Sequence, residues 1–341
     1  MNALDRVFAA VRGEPADRRA FSLVLSLYGA RLAGCGLPEY YAEPEKYLAG
    51  QQAVVDLVDP DILFTPFALP LEARAFGCTL RYFDTAPPNV VRPACKGLAD
   101  LAALLTPDPA TDPGLRYLIE STRLLSREFG GEKPIAALLA TPMDLPALLV
   151  TIGEWIEALL FEPEAREALL RRTSEHFVRL ATALLEAGAH FVVTPSMFTN
   201  PRFLPPKMVL EHVVPSLAAA FARVPGPIVF HHGGNPLAPH LGLFKELPHV
   251  VGFALDHRDS FAEARAGVGE MPVLLGNLSG PHLPGLSPED AYARTSAILA
   301  AVADDPRVVF CTSNADVPWS TPPETVKAVA RAVLDTGRGR S

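Results

Sequence analysis

A (β/α)8 barrel of the TIM type, in the α/β class, is the fold that this chain predicts, and two observations carry the prediction. Eight short apolar runs recur along the 341 residues, and between them lie segments whose apolar residues return every three or four positions. Strand and helix alternating about eight times is the pattern of a parallel barrel wrapped by helices.

The first run, Phe21 to Leu27, and the second, Ile62 to Thr65, flank a helical pattern from Pro44 to Leu57. The third, Ile135 to Leu139, and the fourth, Phe191 to Val193, flank a long one from Glu164 to Glu186. A pattern from Pro206 to Arg223 leads to the fifth run, Ile228 to Phe230; Val251 to Ala254 and Val273 to Leu275 follow. Pro288 to Val302 then leads to the eighth, Val308 to Phe310. Prolines fall mostly at the boundaries of these segments, as at Pro205-Pro206, where they open helices and break strands. The stretches around Ala86-Pro87-Pro88 and from Pro107 to Pro113 read as excursions, but composition does not change across them, so residues 1–341 are expected to form one domain.

With 49% hydrophobic residues the chain carries enough apolar material for one large core. A net charge of -8 and no Lys/Arg stripe interleaved with aromatics exclude a nucleic-acid footprint and leave a small-molecule partner as the expectation. The opening residues Met1 to Arg6 do not lead into a long apolar segment, and no apolar run reaches the length of a membrane span. Cys35, Cys78, Cys95 and Cys311 form no Cys-x-x-Cys pair, so free thiols in a reducing cytoplasm are expected.

In a parallel barrel, groups from distant parts of the chain converge at the carboxyl ends of the strands. Here those ends are Thr65-Pro66, Thr141 to Asp144, Thr194-Pro195-Ser196, His231-His232, Asp256-His257, Gly276-Asn277 and Thr312-Ser313-Asn314. Ser196, Asn235, Asn277 and Asn314, with Tyr28 after the first strand, are candidate substrate-binding residues. Asp256 and His257 are candidate catalytic groups, because a carboxylate can orient an imidazole for proton transfer; being neighbours in sequence, each is read as lining the pocket separately. His231, His232, Asp316 and Cys311, together with Glu72, offer a nitrogen, oxygen and sulfur set for zinc or another divalent metal. Adjacent histidines on a strand face opposite ways, so His231 and His232 can share one metal only if the chain has already turned at Gly233 and Gly234. His176, His190 and His212 read as packing or solvent-facing residues of helices, and His240, His249 and His282 as surface loop residues.

Several segments together resemble the uroporphyrinogen decarboxylase superfamily over nearly the whole chain. They are Leu37-Pro38-Glu39-Tyr40, Asp61-Ile62-Leu63-Phe64-Thr65-Pro66, Leu71-Glu72-Ala73-Arg74-Ala75-Phe76-Gly77, Glu186-Ala187-Gly188-Ala189, His231 with Gly234-Asn235, Gly276-Asn277 and Thr321-Pro322-Pro323-Glu324. The resemblance implies a (β/α)8 barrel and one of two activities. One branch decarboxylates porphyrinogens without a cofactor; the other is a set of zinc-dependent methyltransferases that move a methyl group between a corrinoid protein and a thiol. The stretch Glu72 to Gly77 and the His-x-x-Gly-Asn turn are nearer the methyltransferases, and that branch makes Glu72 a candidate catalytic residue. Its zinc ligands are a His-x-Cys pair after the fifth strand and a cysteine after the eighth; here His231 stands in place, but Gly233 and Ala315 occupy the cysteine positions.

In the decarboxylase branch an aspartate holds the pyrrole N–H groups, and Asp61 matches it by position; the branch's arginine-rich loop is represented only by Arg31. The expected function is therefore methyl transfer between a corrinoid and a small acceptor with an altered or absent zinc site. The alternatives are a cofactor-free decarboxylase of a porphyrinogen-like substrate and a non-catalytic protein that binds a tetrapyrrole or small molecule.

Overall fold

The computed structural model describes residues 1–338. Eight parallel strands form the barrel wall: β1 Phe21–Ser22, β2 Leu63–Phe64, β3 Ile135–Leu138, β4 Phe191–Pro195, β5 Ile228–His231, β6 Val250–Ala254, β7 Val273–Ser279 and β8 Val308–Ser313. Each falls on one of the eight apolar runs. From β2 to β8 the neighbours follow sequence order, and β8 pairs with β1 through Phe310 and Phe21.

The seam between β1 and β2 closes in another way. The Asp61 N–H donates to Phe21 O (2.8 Å), the Phe21 N–H donates to Asp61 Oδ2 (2.8 Å), and the Ser22 hydroxyl donates to Ile62 O (2.6 Å). Strands only two residues long cannot make a full ladder, so a side-chain carboxylate completes it. The first apolar run is shorter as a strand than its sequence suggests because the helix Ser26–Leu32 begins inside it.

Helices Pro44–Val58, Pro113–Phe129, Pro163–Glu186, Pro288–Ala301 and Pro323–Arg338 pack outside the wall, each opening on the proline that its first turn tolerates. The segment expected as one helix from Pro206 to Arg223 is divided: a π turn at Val209–Val213 separates Pro206–Met208 from Val214–Phe221. Pro215 follows after Val214, and its missing N–H removes a rung of the α-helical ladder where the wider turn forms. The excursion around Pro87 is an antiparallel hairpin of Thr79–Arg81 and Asn89–Arg92, which sequence periodicity did not reveal. No helix among the described residues is long and apolar enough to cross a membrane.

Inside the wall, Ile62, Phe64, Ala136, Leu138, Val193, Val229, Val273, Leu275, Val309 and Cys311 form an inner apolar cluster. A larger one lies between wall and helices. Alternate residues of each strand feed the two layers, which is the period-2 geometry of a strand buried on both faces.

Candidate functional site

The carboxyl ends of β5 to β8 gather a cluster of imidazoles and one carboxylate. His231 ends β5, in register with Pro195 of β4 and Ala254 of β6. The chain then turns through Gly233 (φ 64°) and Gly234 (φ 89°), so the rings of His231 and His232 lie on one side with centroids 4.1 Å apart. Both face a backbone donor: Gly233 N–H donates to His231 Nδ1 (3.0 Å) and Gly234 N–H to His232 Nδ1 (2.9 Å).

Burial pushes His231 down to about 4 despite the charge of Asp256, and drives His232 well below the ordinary histidine value. His232 is also approached at Nε2 by the Asn314 N–H (3.3 Å), so a protonated ring would meet backbone N–H groups at both nitrogens.

Asp256, just after β6, is wholly buried. Burial raises its carboxyl, but the side-chain and backbone hydrogen bonds from Arg258 prevail and hold it below the usual carboxylate value. Arg258 Nε donates to Asp256 Oδ1 at 2.6 Å, and Asn314 Nδ2 donates to Oδ2 at 3.1 Å. Asp256 Oδ1 lies 3.3 Å from His257 Nδ1 and Oδ2 lies 3.5 Å from His232 Nδ1. The two sequence neighbours Asp256 and His257, expected to line the pocket separately, lie side by side, and neither is in the wall of the cavity described below. His282 packs edge-on to His257 with centroids 5.1 Å apart, which places a residue read as a bland surface histidine at the rim.

Below the rim the barrel holds a cavity of about 40 Å³. Phe64, Leu138, Val193, Val229, Leu275 and Val309 form much of its wall, and His231, Thr312, Ser313 and Asn314 supply polar edges. Among the described residues no Lys, Arg, Asp or Glu lines it.

The remaining expected site residues take other places. Asp61 precedes β2 and sits at the amino end of the barrel, away from the rim, where Arg6 Nη1 and Arg18 Nη1 each approach its carboxylate to 2.5 Å. Glu72 is buried off the cavity: Oε1 accepts from the Ala140 N–H (2.8 Å) and Oε2 lies 3.0 Å from Nε2 of the equally buried His176. Tyr28 is buried and donates its hydroxyl to Thr321 O (2.7 Å). Asn235 Nδ2 donates to Met197 O (3.0 Å), and Asn277 Nδ2 donates to Asp256 O (3.1 Å) and Asp259 O (2.9 Å), so both amides brace loops. Ser196 is buried, and its N–H donates to His231 O at 2.9 Å. Cys311 faces the cavity, with burial pushing its thiol up to about 12.

Two further carboxylates anchor the rim: Asp144, named among the strand-end residues but given no role, and Asp259, which sequence reasoning passed over. Buried Asp144 accepts from the Met197, Phe198 and Thr199 N–H groups and so shapes the loop after β4. Asp259 does the same for Leu237 and Ala238 in the loop after β5. Carboxylates placed within a few residues of a strand end are the signal that could have found both.

Asp316 lies after β8 with Oδ1 accepting from the Leu27 N–H (3.2 Å), while buried Oδ2 has no hydrogen-bond partner among the described residues. Burial raises its carboxyl to about 8, against the lowering effect of the Leu27 and Ser26 N–H groups. The folded chain then holds a proton that the unfolded chain releases near pH 3.8, so this group's stabilising contribution is present at low pH and is lost as pH rises through about 8. Asp316→Asn, which mimics the protonated acid, is expected to gain stability relative to the parent between pH 5 and 8, by at most about 1.4 kcal/mol per unit. Urea unfolding at four pH values checks this; parallel curves for the two proteins would refute the buried acid.

Zinc can be tested against these donors. A Cβ at position 233 would lie 2.3 Å from the Ser196 carbonyl oxygen, so the backbone has no room for the missing cysteine. Nδ1 of His231 is occupied by a backbone N–H, which puts the ring proton on Nε2 and leaves no lone pair aimed at the mouth. Among the described residues no three His, Cys, Asp or Glu side chains are arranged so that they could hold a metal ion. The residues present do not fit the zinc site of the methyltransferase branch.

Comparison with known proteins agrees with the barrel. The family model for uroporphyrinogen decarboxylase (URO-D) matches residues 2–335. A uroporphyrinogen decarboxylase of Roseiflexus sp. is 29% identical, covering 96% of this chain and 97% of its own. The methylcobamide:CoM methyltransferase MtbA of Methanosarcina acetivorans is 23% identical, covering 98% and 89%. A solved methyltransferase from Methanosarcina mazei superposes with a TM-score of 0.87 at 21% identity, over 98% of this chain and 99% of that one, and so shares the fold. The match over nearly the whole length places this chain in the uroporphyrinogen decarboxylase (URO-D) family.

Proposed function

We propose that this chain moves a methyl group between a corrinoid, carried by a partner protein, and a small uncharged acceptor, and that its own imidazoles handle the acceptor's proton where relatives would use a metal. The observation that carries this reading is the rim group of Asp256, His257 and Asn314. It leaves Nε2 of His257 without a hydrogen bond among the described residues, on a ring whose side chain is 25% exposed. The likeness to methylcobamide:CoM methyltransferases along the whole chain supports the corrinoid as the other substrate.

In this scheme the acceptor's X–H gives its proton to Nε2 of His257. The resulting X⁻ forms a bond to the methyl carbon, and the electron pair of the broken cobalt–carbon bond stays with the corrinoid. His231, held neutral with its proton on Nε2, donates a hydrogen bond to the developing anion. Asp256 steadies the imidazolium that forms on His257, as a buried carboxylate beside an imidazole does.

Methylated corrinoid mixed with a panel of thiols and phenols, with chelator present, is expected to lose its methyl group, read from the corrinoid absorbance. His257→Ala should slow this by roughly 10²–10⁴-fold. Silence across the panel would overturn the proposal.

Sequence identity with the Roseiflexus enzyme supports a second reading, decarboxylation of a porphyrinogen-like substrate without a cofactor. A cavity wall with no arginine or lysine weighs against it, since a polycarboxylate needs several cationic partners. Release of carbon dioxide from uroporphyrinogen would establish that second reading and displace the first.

A further inference from the structure

Asn314 follows β8 with φ at 80°, a left-handed conformation that few non-glycine residues adopt. Its side chain and backbone reach three ionisable groups at once. Nδ2 donates to Asp256 Oδ2 (3.1 Å), Oδ1 lies 3.2 Å from His257 Nδ1 and accepts from the Ser313 hydroxyl (2.8 Å), and the backbone N–H faces His232 Nε2 (3.3 Å). Because a carboxylate oxygen only accepts, the amide must turn its NH2 toward Asp256, which fixes Oδ1 toward His257.

Two accepting oxygens, Asn314 Oδ1 and Asp256 Oδ1, therefore face Nδ1 of His257. That nitrogen must carry the ring proton, and Nε2 keeps the lone pair. His231 is set the other way, because the Gly233 N–H donates to its Nδ1 and leaves the proton on Nε2. The rim thus holds two imidazoles of opposite tautomer, one accepting and one donating through Nε2.

We infer that Asn314 is a positioning residue that locks His257 in the Nδ1–H tautomer, and that the opposed pair, above a cavity wall with no charged side chain, selects a neutral X–H ligand of the phenol or thiol class over its anion. A neutral X–H can donate to the lone pair of His257, whereas an anion has no proton for it and loses hydration on entering the apolar wall that begins at His231. The tautomer assignment is independent of the proposed methyl transfer, and only the identity of X–H as the methyl acceptor rests on that reading.

Long-range nitrogen–proton NMR spectra of the full chain, labelled with 15N-histidine, are expected to show His257 as Nδ1–H and His231 as Nε2–H. Asn314→Gly suits the positive φ and removes only the amide, so it tests position rather than folding; with only Asp256 Oδ1 left against Nδ1, His257 should gain a detectable Nε2–H population. For ligand class, phenol and pentafluorophenol are compared by titration at neutral pH, where the first is neutral and the second ionised.

Phenol should bind about tenfold more tightly, and Asn314→Gly should erase most of that preference. His257 found as Nε2–H in the parent, an unchanged tautomer in Asn314→Gly, tighter binding of the anion, or no binding of either compound would each overturn the inference. A protein that shows the tautomers and the phenol preference but transfers no methyl group keeps this inference and loses the methyl-transfer reading. One that transfers methyl groups with an unchanged tautomer in Asn314→Gly does the reverse.

Discussion

Replacing Asp61 by alanine should lower the stability of this barrel by about 3–5 kcal/mol, the usual cost of leaving buried charge without its partner. Asp61 is 1% exposed, between Arg6 and Arg18 whose side chains are 7% and 12% exposed. It also accepts from the Phe21 N–H across the seam between β1 and β2. Removing it leaves Arg18 with no carboxylate partner among the described residues, only the Arg19 carbonyl, and Arg6 with Asp17 and the Met1 carbonyl, and it weakens a short seam. Asp61→Asn should recover the seam contact but not the charge and fall between the two. Urea unfolding measures all three proteins. A loss below about 1 kcal/mol for Asp61→Ala would mean the carboxylate is not a structural staple and would reopen its role as a ligand-binding residue.

The second large effect concerns the cysteines of the methyltransferase branch. Restoring them as Gly233→Cys with Ala315→Cys should not rebuild a zinc site, and Gly233→Cys alone should cost about 3 kcal/mol or more. A non-glycine residue held in a left-handed turn costs about 1–3 kcal/mol. Overpacking against a neighbour that cannot move adds a similar amount, and here the neighbour is the Ser196 backbone, with carbonyl oxygen and carbon 2.3 and 2.4 Å from the new Cβ. Elemental mass spectrometry of the double variant, with thermal unfolding of each single one, decides the matter. Stoichiometric zinc at parental stability would show that the turn relaxes and that the loss of thiolates is only a sequence difference.

Much of the fold was legible because barrel strands buried on both faces read as continuous apolar runs, and all eight runs became strands. The hairpin at Thr79–Arg92 was not, since its exposed and half-exposed residues carry no buried face to impose a period. The rim was legible in part. His231, His232, Asp256, His257 and Asn314 were picked out as strand-end residues, and they do meet. Ser196, Asn235 and Asn277 were also picked out by position, but their hydrogen bonds go to loop backbone. An amide at a strand end serves a brace and a ligand equally well, and only its neighbours in space distinguish the two. Asp61 carried a signal that the resemblance obscured: it precedes its strand, and in a parallel barrel that end is opposite the site.

By itself, the sequence determined the alternation of strand and helix, the set of polar groups at the strand ends and the absence of two thiolates at positions 233 and 315. These follow from local periodicity and from residue identity, which need no partner to be read. The tertiary structure alone decided that Asp61 closes a seam, that Glu72 turns away to His176, and that Gly233 leaves no space for a Cβ. It also decided which donors and acceptors stand against the rings of His231 and His257, because distant strands bring them there.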